Sequence, residues 1–259
     1  MDLRPDSARA PARRILILGG TSEARSLAEH LVEQGDQVTS TLAGRVSDPA
    51  LPVGEVRIGG FGGVSGLIGY LERQSPDAVV DATHPYAATM TAHAVAATGQ
   101  VGVPLLRLAR PGWGDRRDAS GWIWVDDHPS AAAVAAERGT RPFLTTGRQP
   151  LGHYTALTDH DTLVRVVEPP EVPLPPRWTV IRDRGPYRVD GEIALLRDHR
   201  VDLLVTKDSG GRYTSAKLDA ARALAVPVVV VRRPPPPSGV ELVASVDEAL
   251  GRLGRLPHQ

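Results

Sequence analysis

Ile15-Leu16-Ile17-Leu18-Gly19-Gly20-Thr21-Ser22-Glu23-Ala24-Arg25 is the stretch on which the fold turns. Four consecutive apolar residues stop at two glycines. Between Ser22 and Gln34 a helical spacing then puts Ala24, Leu27, Ala28, Leu31 and Val32 on one face. A buried strand, a glycine turn and an amphipathic helix form the opening of a βα unit. Glycine lets an anion approach the backbone, and the free N–H groups of a helix start attract it. Thr21 and Ser22 add hydroxyl donors, although either also fits as a helix N-cap. The spaced glycines of G-x-G-x-x-G are absent, so the stretch alone supports a nucleotide loop only weakly.

The same alternation continues outward. Strand patterns lie at Gln37–Leu42, Val56–Ile58, Ala78–Val80 and Val103–Leu108, with helices at Val64–Arg73 and Tyr86–Thr98, the latter with Pro85 at its start. The pattern then restarts. Strands are expected at Trp122–Val125, Pro142–Thr145, Leu163–Val167, Trp178–Ile181, Leu203–Val205 and Val228–Val231, with helices at Ser130–Arg138, Gly191–His199 and Thr214–Ala223. Ser245-Val246-Asp247-Glu248 spells a capping box for a last helix. Alternating strands and helices predict α/β architecture with parallel sheets.

The two halves resemble each other. Asp77-Ala78-Val79-Val80 leads through a helix to an apolar strand ending Arg110-Pro111, and Asp202-Leu203-Leu204-Val205 leads to one ending Arg233-Pro234. All βαβ units share some likeness, but the repeated endings favour two similar Rossmann-like domains. Residues 1–12 read as a disordered leader, 13–112 as the N-terminal domain and 113–259 as the C-terminal one. A cleft between two such domains is the expected active site.

Bulk composition removes several function classes. Of 259 residues, 41% are hydrophobic, and 30 Lys+Arg balance 30 Asp+Glu, so no broad nucleic-acid footprint is expected. Aromatics at 4% argue against a base-stacking surface. The absence of cysteine excludes disulfides, thiolate metal sites and a Cys nucleophile, and fits a cytoplasmic protein. No apolar run approaches the ~20 residues that span a bilayer, so no membrane association is expected. The histidines lack metal-ligand spacing, and no metal is expected.

Ligands of parallel sheets bind beyond the carboxyl ends of the strands. After the second strand, Thr39-Ser40-Thr41-Leu42-Ala43-Gly44-Arg45 holds no acid where an NAD site carries one on the ribose. Hydroxyls with Arg45 suit a 2′-phosphate and favour NADP, although Arg45 reads equally well as a solvated loop residue. Gly59-Gly60-Phe61-Gly62-Gly63 suits close backbone approach, or else a flexible turn. Asp81-Ala82-Thr83-His84-Pro85-Tyr86 is polar at the mouth of a buried strand. Thr83 as a helix cap explains part of it, but leaves His84, a group able to exchange a proton near neutrality, and Tyr86. In the second half, Thr145-Thr146-Gly147-Arg148 and Thr206-Lys207-Asp208-Ser209-Gly210-Gly211 occupy equivalent ends, the latter an anion nest. Arg182, Arg184 and Arg188 surround Gly185-Pro186. Each charge alone reads as solvated; together they point to an acidic ligand. Tyr213-x-x-x-Lys217 matches the Tyr/Lys pair of short-chain dehydrogenases, a short and unspecific pattern placed late in the chain. No Gly-x-Ser-x-Gly is present.

Taken together, ILGGTSEARSLA, Leu42-Ala43-Gly44-Arg45, GGFGG, DATHPYA, TTGR, RDRGP and TKDSGG with Lys217 resemble the precorrin-6A reductase and cobalt-precorrin-6A reductase family of cobalamin biosynthesis. These pieces run from Ile15 to Lys217. The resemblance implies two Rossmann-like domains and an NADPH-dependent reduction of precorrin-6A to precorrin-6B, with hydride to C19 and a proton to C18. It implies that Gly19, Gly20, Thr21, Ser22, Glu23, Ser40, Arg45, Gly60, Phe61 and Gly62 serve NADPH, with Thr83 beside the nicotinamide. His84, Tyr86, Lys207 and water are the candidate proton donors. Arg148, Arg184, Ser209, Gly210 and Lys217 would face the polycarboxylate tetrapyrrole. A monomer or small homo-oligomer in transient contact with neighbouring pathway enzymes is expected. Whether the ring carries cobalt stays open, as do a short-chain-type NADP dehydrogenase and a non-enzymatic nucleotide sensor.

Overall fold

Strand and helix alternate through the computed structural model, which describes residues 12–44, 51–171 and 173–256. In chain order come β1 (Arg14–Leu18), α1 (Ser22–Gln34), β2 (Gln37–Leu42), β3 (Glu55–Ile58), α2 (Gly63–Gln74), β4 (Ala78–Asp81), α3 (Ala88–Val101) and β5 (Leu105–Leu108). Then follow β6 (Ile123–Val125), α4 (His128–Arg138), β7 (Pro142–Leu144), β8 (Leu163–Val166), β9 (Thr179–Arg182), α5 (Val189–Asp198), β10 (Leu203–Lys207), α6 (Ala216–Ala223) and β11 (Val228–Val231). The chain closes with β12 (Glu241–Val243) and α7 (Val246–Leu253).

The strands form two parallel six-stranded sheets, β3-β2-β1-β4-β5-β12 and β9-β8-β7-β10-β11-β6. The residues divide into two compact units. One runs up to Arg110 and resumes at Pro236; the other is Pro111–Pro235. This corrects the domain limits expected from sequence, which kept everything after residue 113 together. β12 pairs with β5, setting Glu241 beside Leu106 and Val243 beside Leu108, and α7 buries Ala249 and Leu253 in the first core. The physical reason lies in the repeat itself. The strand–helix pair after each Arg-Pro ending, β6–α4 after β5 and β12–α7 after β11, completes the sheet of the other unit. The proline connector Pro234–Pro237 marks that crossing rather than a turn within one domain.

Period-two alternation builds the first core. Ile15, Ile17, Val38 and Val80 face Leu27, Leu31, Ala249 and Leu253, while Leu16, Leu18 and Val79 face Leu67, Leu71, Ala94 and Ala97. Each such large side chain, fully buried, stabilises by about 1.5–3 kcal/mol. In the second unit Phe143, Leu204, Val228 and Val230 pack with Leu196, Leu218, Ala221 and Trp113. Strand order reverses between β1 and β4 in one sheet and between β7 and β10 in the other. The crevice outside the carboxyl ends at such a reversal is where open α/β sheets bind ligands.

Candidate active site

In the first unit the turn after β1 is held tightly. Gly19 N–H donates to Thr41 O at 2.9 Å, and a Cβ on Gly19 would sit 3.3 Å from that oxygen. Gly20 has φ +118°, a conformation that favours glycine. Thr21 accepts from Ala24 N–H (3.1 Å) and donates to Ala82 O (2.8 Å), so its hydroxyl caps α1 and ties the turn to the end of β4. Ser22 donates to Glu23 (3.0 Å), and Glu23 pairs with Arg110 at 2.7 Å, past the end of β5. Glu23 thus steadies a guanidinium at this edge of the sheet.

Ser40 is only 1% exposed, and its hydroxyl has no hydrogen-bond partner among the described residues. Two residues after Val38 on β2, it shares that residue's face, which points it into the sheet's core rather than at the loop. Arg45 lies outside the described residues. In the glycine loop, Arg57 donates to Gly59 O (2.7 Å) and Gly60 O (2.9 Å) and stacks 4.2 Å from the Phe61 ring. Gly62 caps α2 with φ +82° and no side chain, leaving the first N–H groups of that helix for a ligand. Sequence reasoning missed Arg57, which frames Gly60 and Phe61.

At the end of β4, Asp81 is fully buried. Its Oδ1 pairs with Arg107 at 2.7 Å and accepts from Thr83 N–H (3.1 Å) and hydroxyl (2.7 Å). Arg107 also donates to the carbonyls of Asp81 and Thr83, each at 3.2 Å. Thr83 therefore braces the loop and does not cap the helix. That helix starts at Ala88, two residues beyond the expected Tyr86, because the segment from His84 to Ala87 closes a turn. His84 and Tyr86 are half-buried in this turn, with rings 5.7 Å apart and Tyr86 N–H donating to His84 Nδ1 (3.3 Å). Arg107 was also missed. Its signal was a charge inside the apolar run Val103–Leu108.

In the second unit, Gly147 follows β7 with φ +83°, and Lys207 Nζ lies 3.9 Å from where a Gly147 Cβ would stand. Burial pushes the Lys207 ammonium down to about 8. Thr146, wholly buried, has a hydroxyl without a partner among the described residues. His128 opens α4. Its Nδ1 is 2.9 Å from the Tyr154 hydroxyl, and its ring stacks on His153 with centroids 6.0 Å apart. Burial, then the nearby Lys207 and His153, push His128 down to about 4. Nothing in the sequence linked these two histidines, since the fold brings them together by packing the turn Gln149–Tyr154 on α4.

The loop after β10 is pinned from several sides. Asp208 accepts from Trp113 N–H (2.8 Å) and pairs with Arg233 (3.2 Å), and Trp113 Nε1 donates to Gly211 O (3.0 Å). A Cβ on Gly210 would fall 2.2 Å from Pro111 O. Ser209 N–H donates to Lys207 O at 2.7 Å. Lys217 is 4% exposed. It donates to Thr214 O (2.8 Å) and lies 4.9 Å from the Trp113 ring, which makes it an internal brace of this loop. Tyr213 is 57% exposed in the turn before α6 while Lys217 is buried, so the two side chains sit in different surroundings, unlike the paired Tyr and Lys of a short-chain dehydrogenase. Arg148 pairs with Glu171 (3.2 Å), and Arg184 is exposed in the loop after β9, which contains the cis Gly185-Pro186 bond. The buried Arg165–Glu192 pair (2.5 Å), with Arg165 3.8 Å from the Tyr187 ring, supports that loop. No helix among the described residues is long and apolar enough to cross a membrane.

Comparison with known proteins adds four findings. The family model of precorrin-6x reductase CbiJ/CobK matches residues 14–254. Precorrin-6A reductase of Rhodococcus erythropolis is 50% identical over 244 residues, covering 94% of this chain and 98% of that protein. Cobalt-precorrin-6A reductase of Priestia megaterium is 28% identical over 233 residues, covering 85% and 90%. A solved structure of CobK precorrin-6A reductase superposes with TM-score 0.86 at 41% identity, covering 93% of this chain and 96% of that one.

Proposed function

The chain belongs to the precorrin-6x reductase family of oxidoreductases of cobalamin biosynthesis, and from that premise we propose that it delivers hydride from NADPH to C19 of precorrin-6A and a proton to C18, giving precorrin-6B. The observation that carries the cofactor reading is the reversal between β1 and β4. There a glycine turn with positive φ meets a strand end, Thr41 to Gly44, that holds no acid. A Cβ on Gly19 would crowd that same strand end, so the glycines leave room for a diphosphate to approach the backbone.

NADPH supplies the hydride, so the chain's work is binding, orientation and proton supply. Gly20 offers a backbone N–H group, with Gly19 tied back to Thr41 O, Arg57 sets Gly60, Phe61 and Gly62 in place, and Arg110, held by Glu23, adds positive charge near the phosphates. Ser22 and Arg45 complete this reading at the ribose end. The Asp81–Thr83–Arg107 cluster fixes the backbone that presents His84 and Tyr86. These two, Lys207 and water are the candidates for the C18 proton donor. Arg148, Arg184, Ser209 and Gly210 serve the carboxylates of the ring. The 50% identity to a precorrin-6A reductase, against 28% to a cobalt-precorrin-6A reductase, supports the cobalt-free substrate.

The test is to incubate the protein with precorrin-6A and either NADPH or NADH, following nicotinamide absorbance and product mass. A two-hydrogen gain with at least tenfold preference for NADPH is expected. Equal use of NADH sinks the 2′-phosphate reading, and cofactor binding without ring reduction sinks the reductase reading.

A further inference from the structure

Three basic side chains converge at the carboxyl edge of the second sheet, from three elements. His128 is the first residue of α4, His153 lies in the turn Gln149–Tyr154 after β7, and Lys207 ends β10. The two imidazoles stack within 9° of parallel. Lys207 sits beside Gly147, close enough to His128 to disfavour its charge. The groups facing His128 are Lys207, His153, the Tyr154 hydroxyl and Asp127. Asp127 is the acid among them, and its carboxylate already accepts from Ser130 N–H at 2.8 Å as the cap of α4.

Basic groups gathered this closely repel one another, and each disfavours the charge of its neighbours. An arriving anion would relieve that repulsion. The donor set matches one carboxylate. The Tyr154 hydroxyl, wholly buried, lies 2.9 Å from Nδ1, and in the tautomer in which it donates there a neutral His128 ring keeps its proton on Nε2, a donor without charge. The exposed His153 ring adds an N–H donor, Lys207 brings an ammonium, and the buried Thr146 hydroxyl lies next to Gly147 in the chain.

We propose that His128, His153 and Lys207 form a subsite for one carboxylate side chain of the tetrapyrrole, where the start of α4 meets the turn Gln149–Tyr154. The identity of the ligand rests on the reading under Proposed function; the subsite is tested separately. Uroporphyrin I, a stable polycarboxylate tetrapyrrole, is titrated into the full chain and followed by its absorbance. His153→Ala and His128→Asn should each weaken binding about tenfold, the loss typical of one hydrogen bond to a charged group. The double variant should lose less than the product of the two, because both act on one carboxylate. His153→Lys, which keeps an N–H donor at an exposed position, should recover most of the affinity. Arg73→Ala, removing an exposed cation of the first unit, should change nothing. With precorrin-6A the histidine variants should raise KM about tenfold, keep kcat within about twofold and leave NADPH affinity unchanged. Wild-type affinity in His153→Ala, an equal loss in Arg73→Ala, or no uroporphyrin binding by the parent protein overturns the subsite. Failure of the parent to reduce precorrin-6A overturns the assigned reaction alone, because the titration needs no turnover.

Discussion

Lys217 puts an ammonium into a site that is 4% exposed, beside Trp113 and near Arg165 and Lys207. Burial, followed by Arg165, pushes it down to about 7, from an ordinary value of 10.5. Between those two values the unfolded chain holds a proton that the folded chain has released, so stability contributed through this residue rises with pH and is lost as pH falls through 7. The urea midpoint should therefore increase from pH 6.5 to pH 9, and Lys217→Met should flatten that slope. An unchanged slope in the variant would show that Lys217 keeps its proton when folded. Asp81 is the opposite case, a buried charge whose partner is present. Asp81→Asn leaves Arg107 uncompensated and should destabilise the protein by about 3–5 kcal/mol, whereas Asp81→Asn with Arg107→Met should recover part of the loss. Strict additivity in this double-mutant cycle would dismiss the pair as a unit. Sequence pattern exposed neither role. A buried lysine and a solvated one are spelled alike, and Asp81 was visible only as part of a polar loop.

At the scale of elements, helix and strand identities were legible because period 3.6 and period 2 are written in the apolar residues. Starts and caps were less so. Thr21 does cap α1, but Thr83 is drawn to Asp81, and α3 begins later as a result. The glycine turns were legible as turns, yet their reasons differ. At Gly19 the constraint is space, with Thr41 O at 3.3 Å from a built Cβ; at Gly20 the space is open and the constraint is φ. Gly20→Ala should therefore cost about 1–3 kcal/mol of backbone strain without a clash. If this turn holds the cofactor's phosphates, the variant should weaken NADPH binding roughly tenfold and leave uroporphyrin binding intact. Calorimetric titration of both ligands checks this, and unchanged NADPH affinity would move the phosphate site away from Gly20.

For the whole molecule, the repeat was legible but its wiring was not. The capping box at Ser245 announces α7, no strand is expected at Glu241–Val243, and sequence pattern says nothing about which sheet has an open edge for either. That is settled by packing: β5 lacks a partner on its outer side until β12 arrives, and α7 covers the face of α1 that Leu27 and Leu31 leave apolar. The stability of the first unit therefore depends on residues more than a hundred positions beyond its main body. Leu253→Ala, at a site 1% exposed, removes a buried side chain from that contact and should cost about 2–5 kcal/mol. The loss should be local. Amide hydrogen exchange should quicken in β1, β4 and β5, whose core faces Leu253 shares, while β7 and β10 keep their protection. Were α7 instead a part of the second unit, the same variant would loosen β10 and β11 and spare β1. Exchange rates resolved strand by strand separate the two outcomes, and NADPH affinity should fall with the first unit's protection if that unit holds the cofactor.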